Sequence, residues 1–307
     1  MPHLRTPSGL NWHYEVEGHG PALLFLHGFG VNSRIWKQQF KYFSDRHQVI
    51  ALDLPGHGRS DWQNISLQAI ASDVAFILRE LGCSEVGILA SSFGGLVALK
   101  LLEIEPSLIK FFVFAGSQPK FCRSDDYPFG LDRERIHKLA GQLEGDYPVM
   151  VQIFFRSLFT RHERETRRFK WIQTFRKTDY VPQKEALMNL LGILEHADLR
   201  ETFAGLTLPV LFANGTEDYI CQREFYEELE GSLLPGEPNR PAAQFVWFEK
   251  CGHFPFLSQP HEFNAAVEKF INGSGPVAAG LYPSRQLKSG SSGRGLPSAP
   301  PERVKTL

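Results

Sequence analysis

Ser92 stands in the run Gly87-Ile88-Leu89-Ala90-Ser91-Ser92-Phe93-Gly94-Gly95, where one apolar stretch gives way at once to another. A serine on a sharp strand-to-helix turn has its hydroxyl lifted above the sheet, beside a helix N-terminus that favours developing negative charge. Strand and helix backbones nearly touch at such a turn, so the residues two before and two after the serine must be small. Ala90 and Gly94 meet that demand, Ala90 standing where the G-x-S-x-G pattern has glycine. With Ser91 as nucleophile, Phe93 would occupy a small-residue position. Ser92 is therefore the expected nucleophile.

A serine hydroxyl needs a base, and the base needs an acid to orient it. His253 follows the apolar run Phe245–Phe248 in Cys251-Gly252-His253-Phe254-Pro255. Asp218 follows the run Val210–Ala213 in Asn214-Gly215-Thr216-Glu217-Asp218, with Glu217 as the competing acid. The order Ser92, Asp218, His253 is the one used when these groups sit on successive loops at one edge of a parallel sheet. A fourth element, Leu26-His27-Gly28-Phe29-Gly30, brings the Phe29 N–H to join that of Phe93 as an oxyanion hole. Losing one such donor typically costs ~10²–10³ in rate. His27 is assigned to loop geometry, as are Asp53 and His57 in Asp53-Leu54-Pro55-Gly56-His57-Gly58-Arg59-Ser60. Acyl transfer by these groups requires no metal and no organic cofactor.

The elements that must hold them can be read from hydrophobic pattern. Ala22–Leu26, Val49–Leu54, Val86–Ala90, Phe111–Ala115, Val210–Ala213 and Phe245–Phe248 are short, continuously apolar and closed by turn residues, as strands of a parallel sheet covered on both faces are. Trp12–Glu17 is expected as an antiparallel edge. Helical spacing between them, as in Ser66–Leu81, implies right-handed crossovers and an α/β class. Residues 1–117 and 203–272 read as the two parts of this core. Residues 118–202 hold no strand pattern but four helical stretches, Leu131–Glu144, Pro148–Thr160, Arg164–Arg176 and Lys184–Leu194, and read as an inserted helical lid. In 273–307 Gly, Pro and Ser supply about half the residues, so this tail is expected to be disordered.

Bulk properties bound the partners. A formal net charge of −1, with 22% charged residues, gives no general attraction to nucleic acid or membrane. Cys83, Cys122, Cys221 and Cys251 form no C-x-x-C pair, and the polar opening residues lack an apolar signal core, so a cytoplasmic protein is expected.

Together, LHGFG, DLPGHGRSD, ASSFGG, NGTED and CGHFPF resemble the α/β-hydrolase superfamily over the whole chain except the tail. Within it, Phe114–Pro128, Leu191–Leu199 and His253–Phe263 resemble the pimeloyl-acyl-carrier-protein methyl ester esterases of biotin synthesis. The resemblance implies an α/β-hydrolase fold, a Ser92–Asp218–His253 triad, and release of methanol from a pimeloyl chain borne by acyl carrier protein. It implies acyl-group contacts from Phe29, Phe93, Phe154, Phe155 and Leu158. Other lid aromatics (Phe159, Trp171, Phe175) are divided between channel and packing. Acyl carrier protein is acidic, and eight Lys or Arg lie from Arg156 to Lys177 against Glu163 and Glu165. Arg164, Arg167 and Arg168 are the expected carrier contacts. Two departures mark the chain: Pro148–Phe155 carries no arginine, and Ser91 replaces a bulky aromatic beside the nucleophile. A general carboxylesterase, a carbon–carbon bond hydrolase and a ligand-binding receptor with little turnover stay open as alternatives.

Overall fold

The computed structural model describes residues 2–176, 181–232 and 243–273. The expected tail beyond 273, Lys177 and the Phe175 side chain lie outside the described residues. Eight strands form one sheet: β1 (His3–Arg5), β2 (Asn11–Glu17), β3 (Ala22–Leu26), β4 (Gln48–Leu52), β5 (Val86–Ser91), β6 (Ile109–Ala115), β7 (Val210–Gly215) and β8 (Ala243–Phe248). Their order across the sheet is β1-β2-β4-β3-β5-β6-β7-β8. β1, β2 and β4 pair antiparallel, and every other pairing is parallel. β5 is buried at every residue and sits mid-sheet, which is why its sequence is continuously apolar.

Twelve α-helices accompany the described strands: α1 (Lys37–Phe43), α2 (Leu67–Glu80), α3 (Phe93–Ile104), α4 (Arg133–Glu144), α5 (Tyr147–Ser157), α6 (Arg161–Arg164), α7 (Arg167–Arg176), α8 (Lys184–His196), α9 (Arg200–Ala204), α10 (Arg223–Ser232), α11 (Pro255–Ser258) and α12 (Pro260–Ile271). α2 starts where the Ser66 hydroxyl accepts from Ala69 N–H, and turns Ile70, Val74 and Ile77 into the core. α3 begins at Phe93, with only Ser92 between it and β5, and is apolar on all sides through Leu99 because it is buried there. α4 to α9 all fall between β6 and β7.

The expected helix Arg164–Arg176 is two helices. Thr160 and Glu163 form a reciprocal capping box that starts α6 early. The Thr166 hydroxyl then donates to Glu163 O at 2.6 Å and accepts from Phe169 N–H at 3.1 Å, so it ends one helix and caps the next. Among the described residues no helix is long and apolar enough to cross a membrane.

Candidate active site

The turn between β5 and α3 is as tight as its residues require. Ser92 has φ 54° and ψ −121°, a conformation costly for a non-glycine residue and stable only where the surroundings impose it. Three contacts do so: Ser92 N–H donates to Ala115 O (3.2 Å), while Ser92 O accepts from Gly95 N–H (2.9 Å) and the Ser117 hydroxyl (2.8 Å). A Cβ at Gly94 would lie 2.7 Å from Leu26 O and 2.8 Å from His27 O, which accounts for the small residue there. Ser91 is the last residue of β5, paired with Ala115, and its hydroxyl is buried without a partner. Ser92, by contrast, borders a large cavity.

His253 and Asp218 arrive from the loops after β8 and β7. His253 Nδ1 and Asp218 Oδ2 are 2.7 Å apart, both side chains buried. Asp218 Oδ1 accepts from the Ile220 and Cys221 amides at 2.9 and 3.2 Å, which fixes the carboxylate plane. An ionised carboxylate can only accept, so Nδ1 is the donor in this bond. His253 borders the same cavity as Ser92. Glu217, the competing acid, is exposed. Cys221 sits within ligand distance of this pair, but burial and the Asp218 charge push its thiol well above its usual pKa.

The loop after β3 faces the turn. A Cβ at Gly28 would stand 2.9 Å from Ser92 Cβ, so Phe29 follows directly on a close approach to Ser92. Phe93 opens α3, where helix geometry leaves the amide without an intrahelical acceptor. These are the two expected oxyanion donors. Beneath them the His27 ring accepts from Leu54 N–H at Nε2 (2.9 Å) and meets Gly28 O at Nδ1 (2.8 Å). His57 Nε2 accepts from Gly30 N–H (3.3 Å), and Asp53 accepts from the amides of Ser33 (2.8 Å) and Arg59 (3.0 Å). All three side chains join the two loops to each other.

The cavity measures about 860 Å³ and runs between the sheet edge and the lid helices. Phe29, Phe154 and Leu158 line it, with Phe29 and Phe154 in edge-to-face contact at 5.6 Å. Two residues expected to contact the acyl group do not border it. Phe93 is fully buried. Phe155 turns into the lid, stacked on Phe254 at 5.6 Å and covered by the Arg176 guanidinium 3.8 Å from its ring centre. Phe159 is buried likewise. On α5, Phe154 and Phe155 are neighbours and so point different ways around the helix.

The basic residues also divide. Arg167 is exposed and Arg164 partly so. Arg168 is committed inward: it donates to Leu257 O at 2.6 Å and to Gln38 Oε1, and lies over the Trp171 ring. That makes it a strut between lid and core rather than an open contact surface. The cavity rim carries cations that charge counting missed: Arg133, Arg135 and Lys138 of α4, beside the acids Asp132 and Glu134. Arg133 pairs with Glu195 at 3.4 Å, and Arg135 lies 4.4 Å from the centre of the Tyr219 ring. The Ser157 hydroxyl donates to Phe154 O at 2.6 Å, so the Tyr219 hydroxyl, 2.9 Å away, donates to Ser157. Their sequence signal, three cations in six residues at the start of a lid helix, was diluted by adjacent acids.

A model of the alpha/beta hydrolase family matches residues 23–266. The chain is 29% identical over 251 residues to a pimeloyl-[acyl-carrier protein] methyl ester esterase from Nitrosomonas europaea, covering 82% of this chain and 96% of that protein. It is 30% identical over 259 residues to the enzyme of the same name from Aeromonas hydrophila, covering 83% and 96%. Among solved structures it is similar to an esterase from Exiguobacterium antarcticum (TM-score 0.78, 23% identity, 88% of this chain and 98% of that one). An enol-lactonase from Burkholderia xenovorans gives a TM-score of 0.76 at 19% identity, covering 88% and 100%.

Proposed function

The chain belongs to the alpha/beta hydrolase family, and on that premise we propose that it is a serine-dependent carboxylic ester hydrolase acting on the methyl ester of a pimeloyl chain carried by acyl carrier protein. In this reading His253 Nε2 takes the Ser92 proton as Ser92 Oγ attacks the ester carbonyl. Asp218 holds the ring in the tautomer that can do so and stabilises the imidazolium that forms. The Phe29 and Phe93 amides bind the tetrahedral oxyanion. Collapse breaks the bond to methoxide, which leaves as methanol with the proton from Nε2. Water, deprotonated by the same nitrogen, then attacks the acyl-enzyme and frees the carboxylate.

The observation that carries the reading is the buried 2.7 Å Asp218–His253 pair, whose histidine borders one cavity with a serine held at φ 54°. The substrate rests on different support. Relatives that this chain covers almost end to end are named for the pimeloyl-carrier ester. The cavity volume of about 860 Å³ lies within the range of small-molecule sites and has apolar walls fit for a methylene chain. Arg135 and Lys138 at its rim, with Arg164 on α6 and Arg167 on α7, supply positive charge for an acidic carrier. The four buried free cysteines accord with work in a reducing cytoplasm.

Methanol release from pimeloyl methyl ester on the carrier, against release from the free monomethyl ester, tests the substrate. At low salt the carrier-borne ester should be favoured in kcat/KM by about tenfold or more, and the advantage should shrink as salt screens the rim. Equal rates at every salt concentration would make this a general carboxylesterase.

A further inference from the structure

Glu163 is buried although it lies on α6, a four-residue helix among exposed charges. As the third residue of a capping box it needs one bond, and it has that: Oε2 accepts from Thr160 N–H at 2.6 Å. Its remaining acceptor capacity goes elsewhere. Oε2 also accepts from Gly252 N–H at 3.0 Å, and Oε1 from the Cys251 thiol at 3.2 Å. The same corner of the lid makes two further bonds to that loop. Leu158 O accepts from His253 N–H at 2.9 Å, and the Thr160 hydroxyl donates to Lys250 O at 3.1 Å.

Four consecutive residues, Lys250 to His253, are thus each bonded to residues 158–163. The approach is close enough that a Cβ at Gly252 would lie 2.4 Å from Leu158 O. On its other side the loop is pressed against the one that bears Asp218: Glu217 N–H donates to Cys251 O at 2.9 Å, and a Cβ at Gly215 would lie 2.1 Å from Gly252 O. Burial and the Glu163 charge hold the Cys251 thiol well above its usual pKa, so it stays a neutral donor.

We infer that Glu163 is a positioning residue, fixing through the Gly252 amide and the Cys251 thiol the loop that holds His253 at the cavity it shares with Ser92. The lid corner is in this sense part of the catalytic base's mounting as well as a cover over the cavity. The inference rests on the serine-hydrolase reading for its catalytic consequence, but the bond geometry it describes does not.

Glu163→Gln is the informative change, because an amide has one acceptor oxygen where three donors now find two. In the full-length protein, three quantities should be followed: kcat and KM for a small free ester such as p-nitrophenyl acetate, the downfield proton resonance of the His253–Asp218 bond, and thermal melting. A folded Glu163→Gln protein should lose about 10²-fold in kcat, as misplacement of a catalytic group by about 1 Å does, with KM within about threefold. The resonance should shift or broaden. Exposed Glu165 makes only an i,i+4 ion pair with Arg161, and Glu165→Ala should change none of the three. Gly252→Ala tests the same contact from the loop side without touching Glu163, and it decides the matter if Glu163→Gln does not fold. Unchanged kcat and resonance in either folded variant would overturn the assignment. If wild type neither turns over esters nor reacts with a fluorophosphonate, the hydrolase reading fails, while the resonance still reports on Glu163.

Discussion

His27 and His57 face each other beneath the loop after β3, ring centres 5.3 Å apart, both fully buried. Neither can be charged there cheaply. Burial pulls the His27 pKa down to about 4, and burial followed by repulsion from His27 pulls His57 down to about 3. The unfolded chain binds these protons near pH 6.5, so between there and about pH 4 it takes up protons that the folded chain refuses. Stability from this pair is therefore complete above pH 6.5 and is lost as pH falls, on the order of 3–5 kcal/mol per ring when fully developed. The melting temperature should drop steeply from pH 6.5 to pH 4. His57→Gln, which can still accept from Gly30 N–H, should flatten that slope; an unaltered slope would show that other groups set it. The loop-shaping role of these rings was legible from motif position, but their titration was not, because burial is a tertiary property. The same limit explains Phe155 and Arg168. The helical pattern marks both as lid residues, yet which side of the helix meets the cavity depends on how the lid docks.

At the scale of elements, the β5–turn–α3 unit is the most fully specified by its residues. Ala90, Gly94 and the continuous apolar runs on both sides of Ser92 leave little freedom, and all six expected core strands lie at or within a residue or two of where apolar pattern put them. β1 escaped because three half-exposed residues carry no period to read. The split between α6 and α7 escaped although Thr160-x-x-Glu163 is a start signal, since the basic run through 161–170 looked like one helical face. Glycine positions turn this into a test. Gly94→Ala places a Cβ 2.7 Å from a carbonyl oxygen that cannot step aside, and should cost about 1–3 kcal/mol with a matching fall in melting temperature. Gly141→Ala, in α4 with nothing within 4 Å, should instead be neutral or stabilise by up to about 1 kcal/mol. Equal effects at the two sites would mean that the turn is looser than described.

For the molecule as a whole, the sheet supplies three loops at one edge and the lid closes a cavity over them. Arg176 reaches Gly30 O at 3.4 Å, Gln183 N–H donates to Gly56 O at 2.9 Å, and Glu163 grips the His253 loop, so the lid braces the loops after β3, β4 and β8. The order Ser92, Asp218, His253 could be read before any geometry, because chain order follows from sheet topology. The cavity could not, since its rim on α4 is built from residues that the sequence scatters among acids. The account turns on Ser92 Oγ forming the acyl-enzyme. Mass spectrometry after treatment with a fluorophosphonate measures this most directly: one adduct is predicted, on the peptide containing Ser92, absent from Ser92→Ala, which should also lose ester hydrolysis by ~10⁴-fold or more. An adduct on another residue, or a Ser92→Ala protein that still hydrolyses esters, would contradict it.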